Sequence, residues 1–171
     1  YNPLVDDDQD SSDFEFIEIT NNSSSEIDLT GIYFGGLGIT YQFPQDVTVS
    51  SNGKIYLSNN NESFNSRYGF DSFDEFSRSL SNDGEDITLL DAYGNIIDTV
   101  TYNDVLPWPE EADGEGSFLS LIGLDLDNSL ASSWVAVSDN SQALSINYLN
   151  NLSHISLYPN PVENLLIIQS N

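Results

Sequence analysis

Phe14-Glu15-Phe16-Ile17-Glu18-Ile19-Thr20-Asn21 is the stretch that decides the fold class. Successive side chains of a strand point to opposite faces, so Ile17 and Ile19 share one face while Phe16 and Glu18 share the other. A first strand is therefore expected over 14–20. The same short β-rich texture, divided by turn residues, runs onward at the spacing typical of a sandwich or barrel. Strands are expected over 26–34, where Gly31 allows a bulge or a change of face, over 40–43 and over 47–49. Asn52-Gly53 signals a tight turn into a strand at 54–58, because both positions tolerate positive φ. The clearest hairpin joins 86–90 to 96–102 through Ala92-Tyr93-Gly94-Asn95, entered by Asp83-Gly84. Late strands are expected over 117–122 and 133–137. Residues 59–80 read as a long loop with one helical turn near 73–76. No segment sustains a 3.6-residue period over about eleven positions, so the class is all-β.

Composition narrows the function. The 171 residues suit one domain with a short appended segment, and 39% hydrophobic with 12% aromatic residues suffices for a core. Against 28 acidic residues stand only Lys54, Arg67 and Arg78, a net charge of −25. Such a chain repels phosphate backbones, so no nucleic acid is expected as partner, and an anionic membrane surface is disfavoured too. A divalent cation or a basic partner is the natural complement. Without cysteine there is no disulfide, thiolate zinc site or cysteine nucleophile. No apolar run approaches about 18 residues, so no membrane span is expected.

Beyond Ser138 the texture changes. Residues 139–154 are polar and poor in β signal, as a linker would be. Residues 155–171 then open a fresh β pattern too short to bury a core alone, and read as the truncated start of another domain.

Catalytic equipment is sparse. The single histidine, His154, lies in the linker, and no Gly-x-Ser-x-Gly elbow exists, which argues against a triad. Glu15 and Glu18 are conceivable as a carboxylate pair, but they fall on opposite faces of one strand. Gly35-Gly36-Leu37-Gly38 leads from strand to strand, with no helix N-terminus to cradle phosphate. Asp6-x-Asp8-x-Asp10 offers hard oxygen ligands at alternate positions, as calcium loops do, with Ser12 and Asp13 beside them. Ser11 and Ile17, however, stand where an EF-hand needs glycine and glutamate. A solvated acidic loop is the leading reading of this stretch, and calcium is its alternative as a possible ligand. Asp125-x-Asp127-Asn128 is a weaker cluster of the same kind. Trp108, between Pro107 and Pro109, reads as a packing residue rather than a platform for sugar or protein. Phe64, Tyr68, Phe70, Phe73 and Phe76 are too many for a solvated loop and should cap one end of the sandwich, unless part of the set forms a partner patch.

Taken in order, these motifs resemble the lamin-tail domain, an immunoglobulin-like sandwich found in nuclear lamins and in bacterial secreted proteins. The resemblance rests on Phe16-Ile17-Glu18-Ile19-x-Asn21, on residues 27–34, and on Gly84-Glu85-Asp86-Ile87-Thr88-Leu89-Leu90-Asp91 with Gly94, Ile97-Asp98 and Tyr102. Trp108-Pro109 and Trp134 complete the set, and it covers residues 1–138. Bacterial members resembling this chain carry one more strand before Tyr1-Asn2-Pro3. Leu157-Tyr158-Pro159-Asn160-Pro161-Val162 is similar to the opening of the sorting domain of the Bacteroidetes type IX secretion system. That resemblance implies handling by the type IX machinery and a secreted or cell-surface location, although so short a piece should not support export alone.

The expected architecture is thus an immunoglobulin-like β-sandwich with a truncated C-terminal β segment. Its expected role is that of a non-catalytic adhesion or docking module, accessory to an enzymatic domain, with a protein or surface glycan as partner. A calcium-stabilised structural stalk and a carbohydrate-binding module are the alternatives. The strand at 165–169 has nothing of its own to pair with, and strand addition to an exposed sheet edge is expected for it.

Overall fold

The computed structural model describes residues 2–139, residue 144 and the backbone of residues 166–170. Most of the expected linker, with His154, and the motif Leu157, Tyr158, Pro159, Asn160 and Pro161 lie outside the described residues.

A 3₁₀ turn, Ser11–Phe14, leads into β1, Phe16–Asn21. The expected strand at 26–34 divides into β2, Ile27–Asp28, and β3, Tyr33–Gly35. The break falls at Gly31, whose φ of 74° side chains rarely adopt. Residues 40–43 run beside β3 through backbone bonds such as Phe34 N–H to the Tyr41 carbonyl at 2.9 Å. Next come β4, Thr48–Val49, and β5, Lys54–Ser58. In the turn between them Gly53 N–H donates to the Ser50 carbonyl at 2.8 Å, so Ser51 and Asn52 are the central pair. Asn52 alone of that pair takes positive φ, a one-residue shift from the expected Asn-Gly centre.

Residues 59–80 depart from expectation. They hold α1, Asn61–Tyr68, and the short β6, Asp74–Glu75, in place of a helical turn at 73–76. Asn60 caps α1 by accepting from Ser63 N–H at 3.0 Å, and Gly69 closes it in the left-handed conformation. Only Phe64 and Tyr68 of the helix are buried. That leaves a single apolar pair at i and i+4, too little for a visible period.

The hairpin of β7, Gly84–Leu90, and β8, Ile96–Asn103, forms as expected. Ile87, Leu89, Val100 and Tyr102 turn inward. Outward, Thr88 bonds Thr99 at 2.9 Å and Thr101 donates to Asp86 at 2.6 Å. Strands β9, Ser117–Leu121, and β10, Trp134–Ser138, pair with each other, and β11 is Leu166–Ser170.

One sheet runs β11-β1-β5-β6 and another β3-β7-β8. Ile17, Ile19, Ile55 and Leu57 of the first meet Phe34, Ile87, Leu89 and Val100 of the second in one core, which also takes Leu119, Leu121 and Trp134. This is an all-β sandwich. A second apolar cluster lies on the other side of β1, where Phe16 packs against Phe64, Tyr68 and Phe118. Phe16 meets the other three rings edge-on, at 5.3–5.6 Å between centroids. Covered on both faces, β1 is buried at every position.

Candidate functional site

The motif residues of β1 divide their work by position. Ile17 and Ile19 enter the main core and Phe16 the second cluster. Asn21, fully buried, donates to the Ser25, Val49 and Ser50 carbonyls at 2.8–3.0 Å and accepts from Ser23 N–H at 2.9 Å. One side chain thereby ties the loop after β1 to the end of β4. Trp108 is buried against Trp134, with ring centroids 6.0 Å apart, so it is a packing residue as expected.

Two carboxylates flank this motif, and both are sealed from solvent. Glu18 is 3% exposed. It receives Lys54 Nζ at 2.7 Å, the Tyr56 hydroxyl at 2.6 Å and the Thr20 hydroxyl at 3.0 Å. Burial pushes the Tyr56 hydroxyl far above its usual range, and the negative Glu18 beside it adds to that, so Tyr56 stays a donor.

Glu15 is 2% exposed and precedes the strand. Its Oε2 accepts the Leu80 N–H at 2.8 Å. Burial raises its carboxyl to about 8; the Leu80 N–H works against that shift, while Glu85 and Asp10 add to it. Glu85 in turn accepts from Ser81 N–H at 2.9 Å and from the Tyr102 hydroxyl at 3.3 Å. Gly38 makes room for it, since a Cβ there would stand 2.0 Å from Glu85 Oε2. The glycine-rich loop thus serves close packing.

A carboxyl raised to near neutrality is a mark of catalytic acids. Catalysis also needs access, and neither Glu15 nor Glu18 opens to solvent. Because they lie three positions apart on one extended segment, their side chains leave on opposite faces and do not converge as an acid-base pair.

A third sealed carboxylate, Asp139, closes the body of the fold. Arg67 Nη1 pairs with it at 2.6 Å, the Tyr68 hydroxyl bonds it, and its N–H donates to the Gly116 carbonyl at 2.8 Å. Arg67 also lies over the Phe14 ring at 3.9 Å. Of three basic residues in the chain, Lys54 and Arg67 are spent on buried carboxylates, and the exterior keeps its excess of acid. Sequence reading passed over these cations, because nothing in the order of residues joins Lys54 to Glu18 or Arg67 to Asp139.

The acidic loop, read first as solvated and only alternatively as a calcium site, holds Asp6, Asp8 and Asp10. Among the described residues no group of three or more His, Cys, Asp or Glu could hold a metal ion, and Asp6, Asp8 and Asp10 form no such set. Asp10 instead caps the 3₁₀ turn, accepting from the Ser12 hydroxyl at 2.8 Å and its N–H at 3.0 Å, which lowers its carboxyl. Asp127 caps a turn likewise, through Ser129 Oγ at 2.6 Å and its N–H at 3.0 Å. Asn128 turns inward, donating to Asp98 at 2.8 Å. Of the aromatic set, Phe64 and Tyr68 fill the second cluster, Phe70 packs against it, and Phe76 enters the main core. Phe73 stays exposed.

With this geometry, the Lamin Tail Domain family matches residues 3–104. The chain belongs to the lamin tail domain family. Lamin tail domains are a non-catalytic immunoglobulin-like family, in agreement with the sandwich and with the sealing of its buried carboxylates. No curated protein and no solved structure matches the chain. In this lamin tail domain the family stretch ends just after β8, yet β9 and β10 complete the same core through Leu119, Leu121 and Trp134. No helix among the described residues is long and apolar enough to cross a membrane.

Proposed function

We propose that this lamin tail domain is a non-catalytic adhesion or docking module of an exported Bacteroidetes surface protein, accessory to an enzymatic domain of the same protein. The observation that carries the reading is the disposition of the acid groups. The raised carboxyl and those in ion pairs are sealed inside, while apolar contact points stand outside at the hairpin end. Tyr93, 92% exposed at the tip of the β7–β8 hairpin, and the neighbouring Ile96 are such points. Large exposed apolar side chains on a paired hairpin suit a protein or glycan contact. The Leu157-Tyr158-Pro159-Asn160-Pro161 motif supports handling by the type IX secretion machinery and a place at the cell surface. An aromatic row for carbohydrate is not favoured, since Trp108 is buried and the strongly exposed rings among the described residues are Phe73 and Tyr93.

Two experiments test the proposal. The full chain should turn over no generic hydrolase or phosphatase substrate; activity that Glu15→Gln or Glu18→Gln abolishes would overturn the non-catalytic reading. In the native host, Pro159→Ala with Pro161→Ala should abolish surface display of the parent protein. Unchanged display would refute the export assignment.

A further inference from the structure

We propose that the outer edge of β1 is a strand-acceptor site, and that Leu166–Ser170 is a replaceable guest in it. The body of the sandwich closes at Asp139, which Arg67 and Tyr68 clamp, and residues 140–165 separate that clamp from β11. Among the described residues, strand β11 lies at the end of its sheet and pairs antiparallel with β1 alone. Its register sets Ser170 opposite Ile17, Gln169 opposite Glu18, Ile168 opposite Ile19, Ile167 opposite Thr20 and Leu166 opposite Asn21.

The backbone of β1 shows why the edge needs an occupant. A strand offers its N–H and C=O to one side at every second residue. Asn21 exchanges bonds with Asn52 and Gly53 at 2.9 Å, and the Glu15 carbonyl takes Asn59 N–H at 2.9 Å, so odd-numbered positions serve the β5 side. Glu18 and Thr20 therefore offer theirs to β11. With β11 in place both residues are buried, and without it these groups would lose their ladder partners. A vacated edge of this kind recruits an extended segment by main-chain hydrogen bonding.

The register also sets which segment fits. Position 169 faces Glu18, whose carboxylate already holds Lys54, Tyr56 and Thr20. A second carboxylate directly opposite would be repelled, the more so in a chain of net charge −25. Position 168 faces Ile19, deep in the main core, and calls for an apolar residue. Leu166-Ile167-Ile168-Gln169-Ser170 carries no charge and satisfies both demands. The site thus selects an extended segment that is apolar opposite Ile19 and free of negative charge opposite Glu18. The chain's own C-terminal strand meets that description, supplied within one molecule or by a second copy.

The test uses the full chain carrying Ile167→Pro, which removes an N–H from the β1 ladder, and a fluorescent peptide of residues 164–171. Anisotropy should show the peptide binding this variant at least about tenfold more tightly than the parent, whose edge its own strand occupies. Gln169→Glu in the peptide should weaken binding severalfold, and Ile167→Pro in the peptide should abolish it. Equal affinity for parent and variant, or no binding to a folded variant, would overturn the proposal. Should Ile167→Pro prevent folding, refolding with the peptide present decides the matter. Recovery of the native circular dichroism supports a replaceable guest, and no recovery means that β11 is an integral strand. None of these readouts involves surface adhesion or export, so the inference stands or falls apart from the proposed function.

Discussion

Glu15 and Glu18 are almost equally buried and three residues apart, yet their surroundings treat them in opposite ways. Glu18 has a cation and two hydroxyls within hydrogen-bond reach. Glu15 has one backbone N–H and, nearby, the carboxylate of Glu85, so burial moves its proton instead. The contrast teaches that burial alone does not set the state of a carboxyl; the partner does. It also separates a raised carboxyl from a catalytic one. Glu15 sits in the range where general acids work, but it is closed off from any substrate.

The comparison can be broken from the Glu18 side with the largest effect. Glu18→Leu strands the Lys54 ammonium and leaves the Tyr56 and Thr20 hydroxyls without their acceptor. A loss of about 3–5 kcal/mol is expected, seen as a lower urea midpoint at unchanged slope. Next comes pH. Glu15 has a folded value of about 8 against an ordinary value of 4.5, so the folded state binds the proton more tightly. Its contribution is complete below pH 4.5 and is lost as pH rises through 8, on the order of 3 kcal/mol between pH 5 and pH 9. Asp10, Asp28, Asp91 and Asp127 act in the opposite sense, because hydrogen bonds lower them. Their contribution is present above the ordinary value of 3.8 and fades only below it. Among the described residues Glu15 is thus the carboxyl whose contribution changes between pH 5 and pH 9, and denaturant unfolding of the parent against Glu15→Gln across this range isolates it.

Smaller changes sharpen the same contrast. Lys54→Met leaves Glu18 with hydroxyl donors alone and should cost about 1–2 kcal/mol, since part of the lysine side chain already meets solvent. Asp10→Ala should give the least effect, near the resolution of a thermal melt, because its carboxylate caps a short surface turn. Millimolar calcium should shift the midpoint no more than sodium chloride of equal ionic strength, as the acidic loop forms no group of ligands.

What could be read from residue order follows a physical line. The β7–β8 hairpin was legible because period-2 alternation and the Asp91-to-Asn95 turn are both local. The first strand was legible for the same reason, down to Ile17 and Ile19 facing the core. α1 was not, because its stability comes from Phe64 and Tyr68 packing on Phe16 and Phe118, residues far away in the chain. The signals that could have found it were Asn60 at the cap and Gly69 at the end. β6 escaped too, since two exposed acidic residues carry no strand pattern and pair only because β5 lies alongside. Strand addition at 165–169 was expected from an unpartnered apolar run, and Leu166–Ser170 does pair with β1, shifted by one residue. The partners of the buried carboxylates stayed hidden: Lys54, Tyr56, Leu80 and Glu85 reach them only through the fold.

The most direct test of this account is the unfolding free energy of Glu15→Gln relative to the parent, followed from pH 5 to pH 9. Glutamine still accepts the Leu80 N–H but carries no titrating proton. The variant should gain on the parent steadily as pH rises, by on the order of 3 kcal/mol across the range. A difference that stays constant with pH would mean that Glu15 does not hold its proton in the folded chain, and would contradict the account.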